Sequence, residues 1–417
     1  MFGAKKSADF RICFISQVYP GRERGYNPGI ERLVEGLSRA LADKGAEITV
    51  LTSFALGGPK EEVSPDGVRI LRIKSLMGYK YSGIGGLGLA TFHWSLVLKH
   101  LPTIRRSDIA QVFSAAFLPV PPLRSFLRPL VSYFAHLDRP NSFSELLYLP
   151  EVNLMLRVLY KCSDMIAAGV PERSPELEEF IQYFGINRER IRTVYEGVDI
   201  RLFNSRVDKQ DVKSKFGENI VLYVGPLLPR KGLRYLLEAM PWVLREVADA
   251  KLVFVGKGPA GYVRWLLELA KQLQIEKHVF FEGFVPEERL AKYYRAAAVL
   301  ALPTLREGYP LVCLEAMACG TPVVATNLSP ISTMVGGGGI LVGPKHPQQI
   351  SVAIVRLLRD EVLRRTLGAC GEARVRETFR WAKVADQYLN IYREALRLSG
   401  RGARRSPAPT DIMPPWG

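Results

Sequence analysis

Cysteine is scarce in this chain. Cys13, Cys162, Cys313, Cys319 and Cys370 are an odd set with no CxxC pair, which implies no disulfide framework or zinc cluster and points to a reducing compartment. No run of about 18 apolar residues occurs, so no membrane-spanning helix is expected. The amino-terminal stretch MFGAKKSADF has no apolar core segment, and no signal peptide is expected. No Asp-x-Asp is present, and no His/Cys set has ligand spacing, so a metal-dependent reaction is not indicated. Acids are absent from residues 67–107. The apolar content of 47% and charged content of 24% exclude a mostly disordered chain, a collagen-like fibre and a coiled coil.

What is present is a long, basic chain. Its 417 residues suit two domains of about 200 residues each. The net charge is +16, unevenly spread: residues 1–199 carry 25 Lys/Arg and 21 Asp/Glu, and residues 200–417 carry 32 and 20. A basic second half suits an anionic ligand such as a phosphate. Charge alone does not choose between nucleotide, lipid and nucleic acid.

Short apolar runs alternate with amphipathic stretches. Residues 11–19 (RICFISQVY) read as a buried strand and 29–44 as a helix, with Ile30, Leu33, Val34, Leu37 and Leu41 at helical spacing. Residues 47–52 are the next strand. A strand–helix–strand unit with near-continuous apolar strands means a parallel βαβ arrangement. The pattern restarts at Asn219, with strands at 219–224, 251–255, 278–282, 299–302 and 322–325 and helices at 233–247 and 261–273. The fold class is therefore α/β: two doubly wound, Rossmann-like domains facing across a cleft. The expected divisions are an acceptor domain at 1–199, a donor domain at 200–375, a terminal helix at 376–398 and a disordered Pro/Gly/Arg-rich tail at 399–417. Ligands of open α/β sheets sit beyond the carboxyl ends of the strands.

Residues 302–325 (LPTLREGYPLVCLEAMACGTPVVA) are the most informative stretch. Glu307, Gly308 and Tyr309 lie in a loop after a strand. A helix is predicted from about Pro310, which suits a first turn. The N–H groups of Leu311 and Val312 would face the cleft at the positive end of the helix dipole, forming an anion site. Glu315 follows about 7–8 Å along the helix. A loop carboxylate, an anion site and a helix carboxylate fit a sugar, a diphosphate and a ribose. An ordinary helix with one acid in its loop has the same spacing.

The window from Glu307 to Glu315 resembles the paired-glutamate motif of the retaining glycosyltransferases of family four. Residues 224–232 (VGPLLPRKG), 252–259 (LVFVGKGP), 281–284 (FEGF) and 293–302 are similar to further stretches of that family in the same order. So are residues 12–52, with Gly29, Ile30 and Glu31 matching. The resemblance implies a GT-B fold and retaining, metal-independent transfer of a sugar from a nucleotide-sugar donor in the second domain to a glycan, lipid or lipid-linked glycan in the first. It gives Glu315 the ribose, Glu307 the hydroxyls of the sugar, and Lys231 the diphosphate, with Arg230 assisting and Gly256 in the donor loop. His136 matches a cleft histidine that contacts the donor sugar, and acid–base help from it stays open. Asp138 orients it or binds acceptor, and Gly29 lies on the acceptor side. No cofactor beyond the co-substrate is implied, and the expected location is cytoplasmic.

The chain also departs from that pattern. Pro226 stands where the family usually has arginine, so Arg230 replaces one diphosphate contact or the contact is missing. Tyr195 and Glu196 replace a Pro-Asn pair before Gly197, Val198 and Asp199, and Gln111 and Phe113 occupy a strand where histidines are common. These differences keep an inactive, nucleotide-binding GT-B protein as an alternative. Gly256, Gly258 and Gly261 form a G-x-G-x-x-G, which on its own reads as a dinucleotide site or as tight packing. No nucleic-acid-binding motif accompanies the charge. Residues 67–107 carry seven Lys/Arg with Tyr79, Tyr81, Phe92 and Trp94 among them. Such a surface suits anionic headgroups, so docking on an anionic membrane face is a further expectation beside a plain buried helix.

Overall fold

A strand that is apolar on both faces needs a helix against each face, and this chain is built that way. The computed structural model describes residues 10–16, 29–53, 59–73, 99–113, 129–134, 150–172 and 174–400. The first part contains β1 (Arg11–Ser16), α1 (Gly29–Asp43), β2 (Glu47–Ser53), β3 (Glu61–Val63), β4 (Arg69–Ile73), β5 (Ile109–Phe113), β6 (Leu130–Phe134), α2 (Pro150–Cys162), β7 (Met165–Ala168), α3 (Pro175–Phe184) and β8 (Ile191–Thr193). These strands form one sheet in the order β3-β4-β2-β1-β5-β6-β7-β8. Pairing is parallel except for β3, which runs antiparallel to β4 at the edge. The order reverses direction between β1 and β5, where Ile12 sits opposite Ile109.

The second part runs α4 (Gln210–Phe216), β9 (Ile220–Val224), α5 (Leu233–Glu246), β10 (Lys251–Val255), α6 (Ala260–Gln272), β11 (Val279–Gly283), α7 (Glu287–Ala296), β12 (Val299–Leu302), α8 (Leu311–Ala318), β13 (Val323–Thr326), α9 (Ile331–Val335), β14 (Gly339–Val342), α10 (Pro347–Arg359) and α11 (Glu361–Arg374). Its six strands are all parallel, in the order β11-β10-β9-β12-β13-β14. β9 and β12 are neighbours joined to helices on opposite sides, so a crevice opens at their carboxyl ends. β9, β12 and β13 are buried along their whole length.

The terminal helix α12 (Trp381–Leu398) belongs to the first core. Its Val384, Ala385, Tyr388, Ile391, Tyr392 and Ala395 pack with Ile12, Phe14, Leu33 and Val131. Tyr392 donates a 2.6 Å hydrogen bond to Gln111 on β5. The glutamine at a position where the resemblance suggested histidine is thus a tie between helix and sheet. The helix starts later than its apolar spacing suggests. Val375–Phe379 is a π-helical turn continuing α11, and Arg380 is extended (φ −73°, ψ 141°). That break lets the chain cross from one sheet to the other. It crosses beside the first crossing, where Val198 N–H donates to the Phe379 carbonyl at 2.8 Å.

Trp381 wedges this double crossing. A Cβ at Gly36 would lie 2.2 Å from the indole, and one at Gly197 would lie 2.4 Å from it. Gly36→Ala is therefore expected to lower the melting temperature by several degrees, since overpacking costs about 1–3 kcal/mol. An unchanged thermal melt would contradict the packing.

Candidate active site

The loops leaving β9 and β12 form the crevice, and the chain fastens them together. Tyr223 donates to the carbonyl of Pro226 at 2.9 Å, closing the first loop. A tight turn over Pro229–Lys231 follows and ends at Gly232 in the left-handed region (φ 68°). A Cβ at Gly232 would sit 2.0 Å from the Pro303 carbonyl oxygen, so glycine lets the two loops touch. Leu305 N–H donates to the Arg230 carbonyl at 2.9 Å. The hydroxyl of Thr304 donates to the Arg306 carbonyl at 2.7 Å, and Thr326 donates to the Thr304 carbonyl at 2.7 Å.

This clamp brings Lys231 to Glu307. Lys231 is 6% exposed, and its ammonium donates to Glu307 Oε2. The sequence placed these two residues on different parts of a donor; the structure pairs them with each other. Arg230 is half-buried, with Nη1 3.5 Å from the Arg306 carbonyl. Burial holds the Tyr223 phenol well above its usual value, with the Glu307 charge adding to this and Arg230 opposing it.

Gly308 and Tyr309 carry the chain from Glu307 to Pro310, and α8 begins at Leu311 with no side-chain cap. The N–H of Leu311 is taken by the Tyr309 carbonyl at 3.0 Å. This corrects the expectation that Leu311 and Val312 both face the cleft with free N–H groups. Among the described residues, Val312 N–H has no backbone partner outside the helix, and it keeps the positive end of α8 available.

Glu315 lies one turn further on and is 3% exposed. Its Oε2 accepts from Tyr294 at 2.7 Å, and its Oε1 accepts from Arg32 Nη1 at 2.6 Å. Arg32 comes from α1 of the first part and also meets Glu287 at 3.2 Å. Burial and the Glu315 charge hold the Tyr294 phenol well above its ordinary range. Sequence reading missed Arg32, although a signal was there. A cation in the first turn of a helix opposes the dipole, and such a local conflict marks a functional or strained position.

Glu196 is the second residue that the sequence did not place in the site. It is buried, and Tyr133 donates to its Oε1 at 3.2 Å. Its backbone carbonyl accepts from the Tyr309 hydroxyl at 3.2 Å, linking the crossing to the loop before α8. Burial pushes its carboxyl from 4.5 up to about 8, against the opposing pull of the Tyr133 hydrogen bond and the Arg32 charge. The folded state therefore holds this proton more tightly than the unfolded state. The stability it contributes is complete below about pH 4.5 and is lost as pH rises to about 8. Glu31, raised to about 7 by burial and Glu35, acts with the same sign over a lower window. Between pH 7 and 8, wild-type protein should lose stability with a slope of up to about 1 kcal/mol per pH unit, and Glu196→Gln should flatten it. Equal slopes in chemical denaturation series would contradict this assignment.

Gly256 follows β10, and its N–H donates to the Gly283 carbonyl at 2.7 Å. A Cβ there would lie 1.9 Å from the Gly225 carbonyl oxygen, so the residue packs β10 against the loop after β9. Gly261 faces open space and lacks the packing duty of the last glycine in a dinucleotide fingerprint. The acid at the tip of β11, Glu282, accepts from Lys215 at 2.7 Å and also from Tyr293. These contacts favour the packing reading of the glycine motif. Gly29 is the first residue of α1. His136, Asp138 and residues 74–98 lie outside the described residues. Among the described residues, no group of three or more His, Cys, Asp or Glu is placed to hold a metal, and no helix is long and apolar enough to cross a membrane.

The family model described as Glycosyl transferases group 1 matches residues 181–374, and that of Glycosyltransferase Family 4 matches residues 28–202. An uncharacterized glycosyltransferase of Methanocaldococcus jannaschii is 32% identical over 54% of this chain and 59% of its own length. A D-inositol 3-phosphate glycosyltransferase of Catenulispora acidiphila is 33% identical over 58% and 60%. The aligned part thus spans about 60% of the length of these relatives. Among solved structures, sucrose-phosphate synthase from Thermosynechococcus elongatus superposes with a TM-score of 0.75 at 23% identity, covering 93% of this chain and 99% of that one. HepE of Anabaena, in complex with UDP and glucose, gives 0.71 at 22% identity over 91% and 98%.

Proposed function

Since this chain belongs to the group 1 glycosyl transferases and has their GT-B fold, we propose that it moves a sugar from a nucleoside-diphosphate donor to an acceptor, with retention and without a metal ion. One observation carries the reading: Lys231, Glu307 and Glu315 converge around the start of α8 at the switch point of the second sheet. Glu315 accepts from the ribose hydroxyls. Glu307 holds hydroxyls of the transferred sugar. Lys231, Arg230 and the positive end of α8 receive the diphosphate and offset the charge that builds on it as the bond to the sugar breaks. The new bond forms from the acceptor oxygen to the same sugar carbon, and the acceptor proton passes to the departing phosphate oxygen.

His136 contacts the donor sugar, and Asp138 and Gly29 serve the acceptor. The acceptor is a glycan, a lipid or a lipid-linked glycan. The acid-free, aromatic-containing segment 67–107 favours the lipid classes and a cytoplasmic enzyme docked on an anionic membrane face.

The test is a panel of nucleotide sugars read by thermal shift, then by release of nucleoside diphosphate with the best ligand. UDP-glucose belongs in the panel because a neighbour of this fold binds UDP and glucose. At least one donor should raise the melting temperature and be turned over. A donor that stabilises without turnover would favour the inactive nucleotide-binding protein, and no stabilisation by any donor would contradict both.

A further inference from the structure

Arg32 has no task in the transfer just described, yet this side chain of the first domain reaches two acids beside the donor crevice. Its guanidinium is three-quarters buried, 2.6 Å from Glu315 on α8 and 3.2 Å from Glu287 on α7. Helix stability does not explain it, because a cation in the first turn of α1 opposes the dipole. Nor does the ion pair account for it, since the desolvation of buried pairs offsets most of their attraction.

Two cations beside the crevice are engaged by acids in this state. Lys231 is bound to Glu307 and Glu315 to Arg32. Pro226 supplies no cation, and Arg230 reaches toward the Arg306 carbonyl. A diphosphate arriving at α8 therefore gains a further cation when one of these pairs opens. The pair at Glu315 is the one a ribose opens, because its hydroxyls donate to the carboxylate that Arg32 occupies. Glu315 is four residues from the first residue of α8, about 6 Å along the axis. That distance is within the sweep of an arginine side chain. Arg32 also acts electrostatically on Glu196, whose carbonyl anchors Tyr309 just before α8.

We propose that Arg32 exchanges Glu315 for the donor's diphosphate when the ribose binds, so that the first domain supplies a cation to the leaving group. This rests on the donor site proposed above. The planar guanidinium suits two phosphate oxygens at once, and the exchange couples donor binding to the position of α1.

Calorimetric titration with UDP and with uridine separates the diphosphate contact from the ribose contact. Arg32→Ala should weaken UDP binding about 10- to 100-fold, since hydrogen bonds to charged groups contribute about 1.5–3 kcal/mol. Uridine affinity should stay unchanged or rise, and Arg32→Lys should recover part of the UDP affinity. Arg32→Gln, which keeps a polar side chain but not the charge, tests the same charge if the alanine variant folds poorly. UDP affinity that is unchanged or tighter in the variants would overturn the proposal and leave Arg32 as a plug on Glu315. Equal weakening of UDP and uridine would also overturn it and mark a structural role. Wild-type protein that binds neither uridine nor any nucleoside diphosphate tested in place of UDP would instead remove the donor site itself.

Discussion

Glu307→Ala is expected to lower kcat/KM for sugar transfer by about 10²–10³, the loss typical of removing one well-placed charge-stabilising group. The carboxylate lies at the mouth of the crevice, in the loop that the Gly232–Pro303 contact and the Thr304 hydrogen bonds hold in place. Those ties are backbone and hydroxyl contacts that do not involve the Glu307 side chain, so the loop should keep its path and the variant should remain soluble, while the loss of Lys231's buried partner should lower its melting temperature. Glu307→Gln separates two contributions. It retains a hydrogen-bonding group for the sugar but no longer balances Lys231. If charge on Lys231 matters, the glutamine variant should bind nucleoside diphosphate at least as tightly as wild type while transferring poorly. Wild-type turnover in Glu307→Ala would refute the role.

Lys231→Ala should cost about as much in transfer, through the diphosphate rather than the sugar. Its loss should therefore also weaken binding of nucleoside diphosphate, which the Glu307 variants should not do. Because the two side chains form one buried pair, their effects should not add. The double variant Lys231→Ala/Glu307→Ala should be little worse than the poorer single variant, whereas independent residues would multiply their losses. Lys231→Ala leaves Glu307 without its partner, so this single variant should melt lower than the double variant. The reverse order of melting temperatures would show that the pair does not carry that strain.

The architecture was legible because it depends on local pattern. The runs KLVFV and IVLYV announce buried strands, and amphipathic helices follow at the spacing a parallel sheet requires. The Glu307–Glu315 window could be placed for the same reason, since one loop and one helix contain it. What could not be read was which distant residues meet there. Arg32 and Glu315 are 283 positions apart, Tyr133 and Glu196 are 63 apart, and no periodicity links either pair. Tyr309, whose carbonyl takes the Leu311 N–H, was read as open loop because its turn is defined by the Glu196 carbonyl in another segment. The start of α12 was misplaced because the sequence through Val375–Phe379 keeps helical spacing, while the break answers the demand that the chain recross beside Val198.

The most direct test is a crystal structure with a bound nucleoside diphosphate. The account predicts the diphosphate at the amino end of α8, near Lys231 and the Val312 N–H, with ribose hydroxyls on Glu315. Density for the nucleotide at any other place, with Glu315 still enclosed by Arg32 and Tyr294, would contradict it.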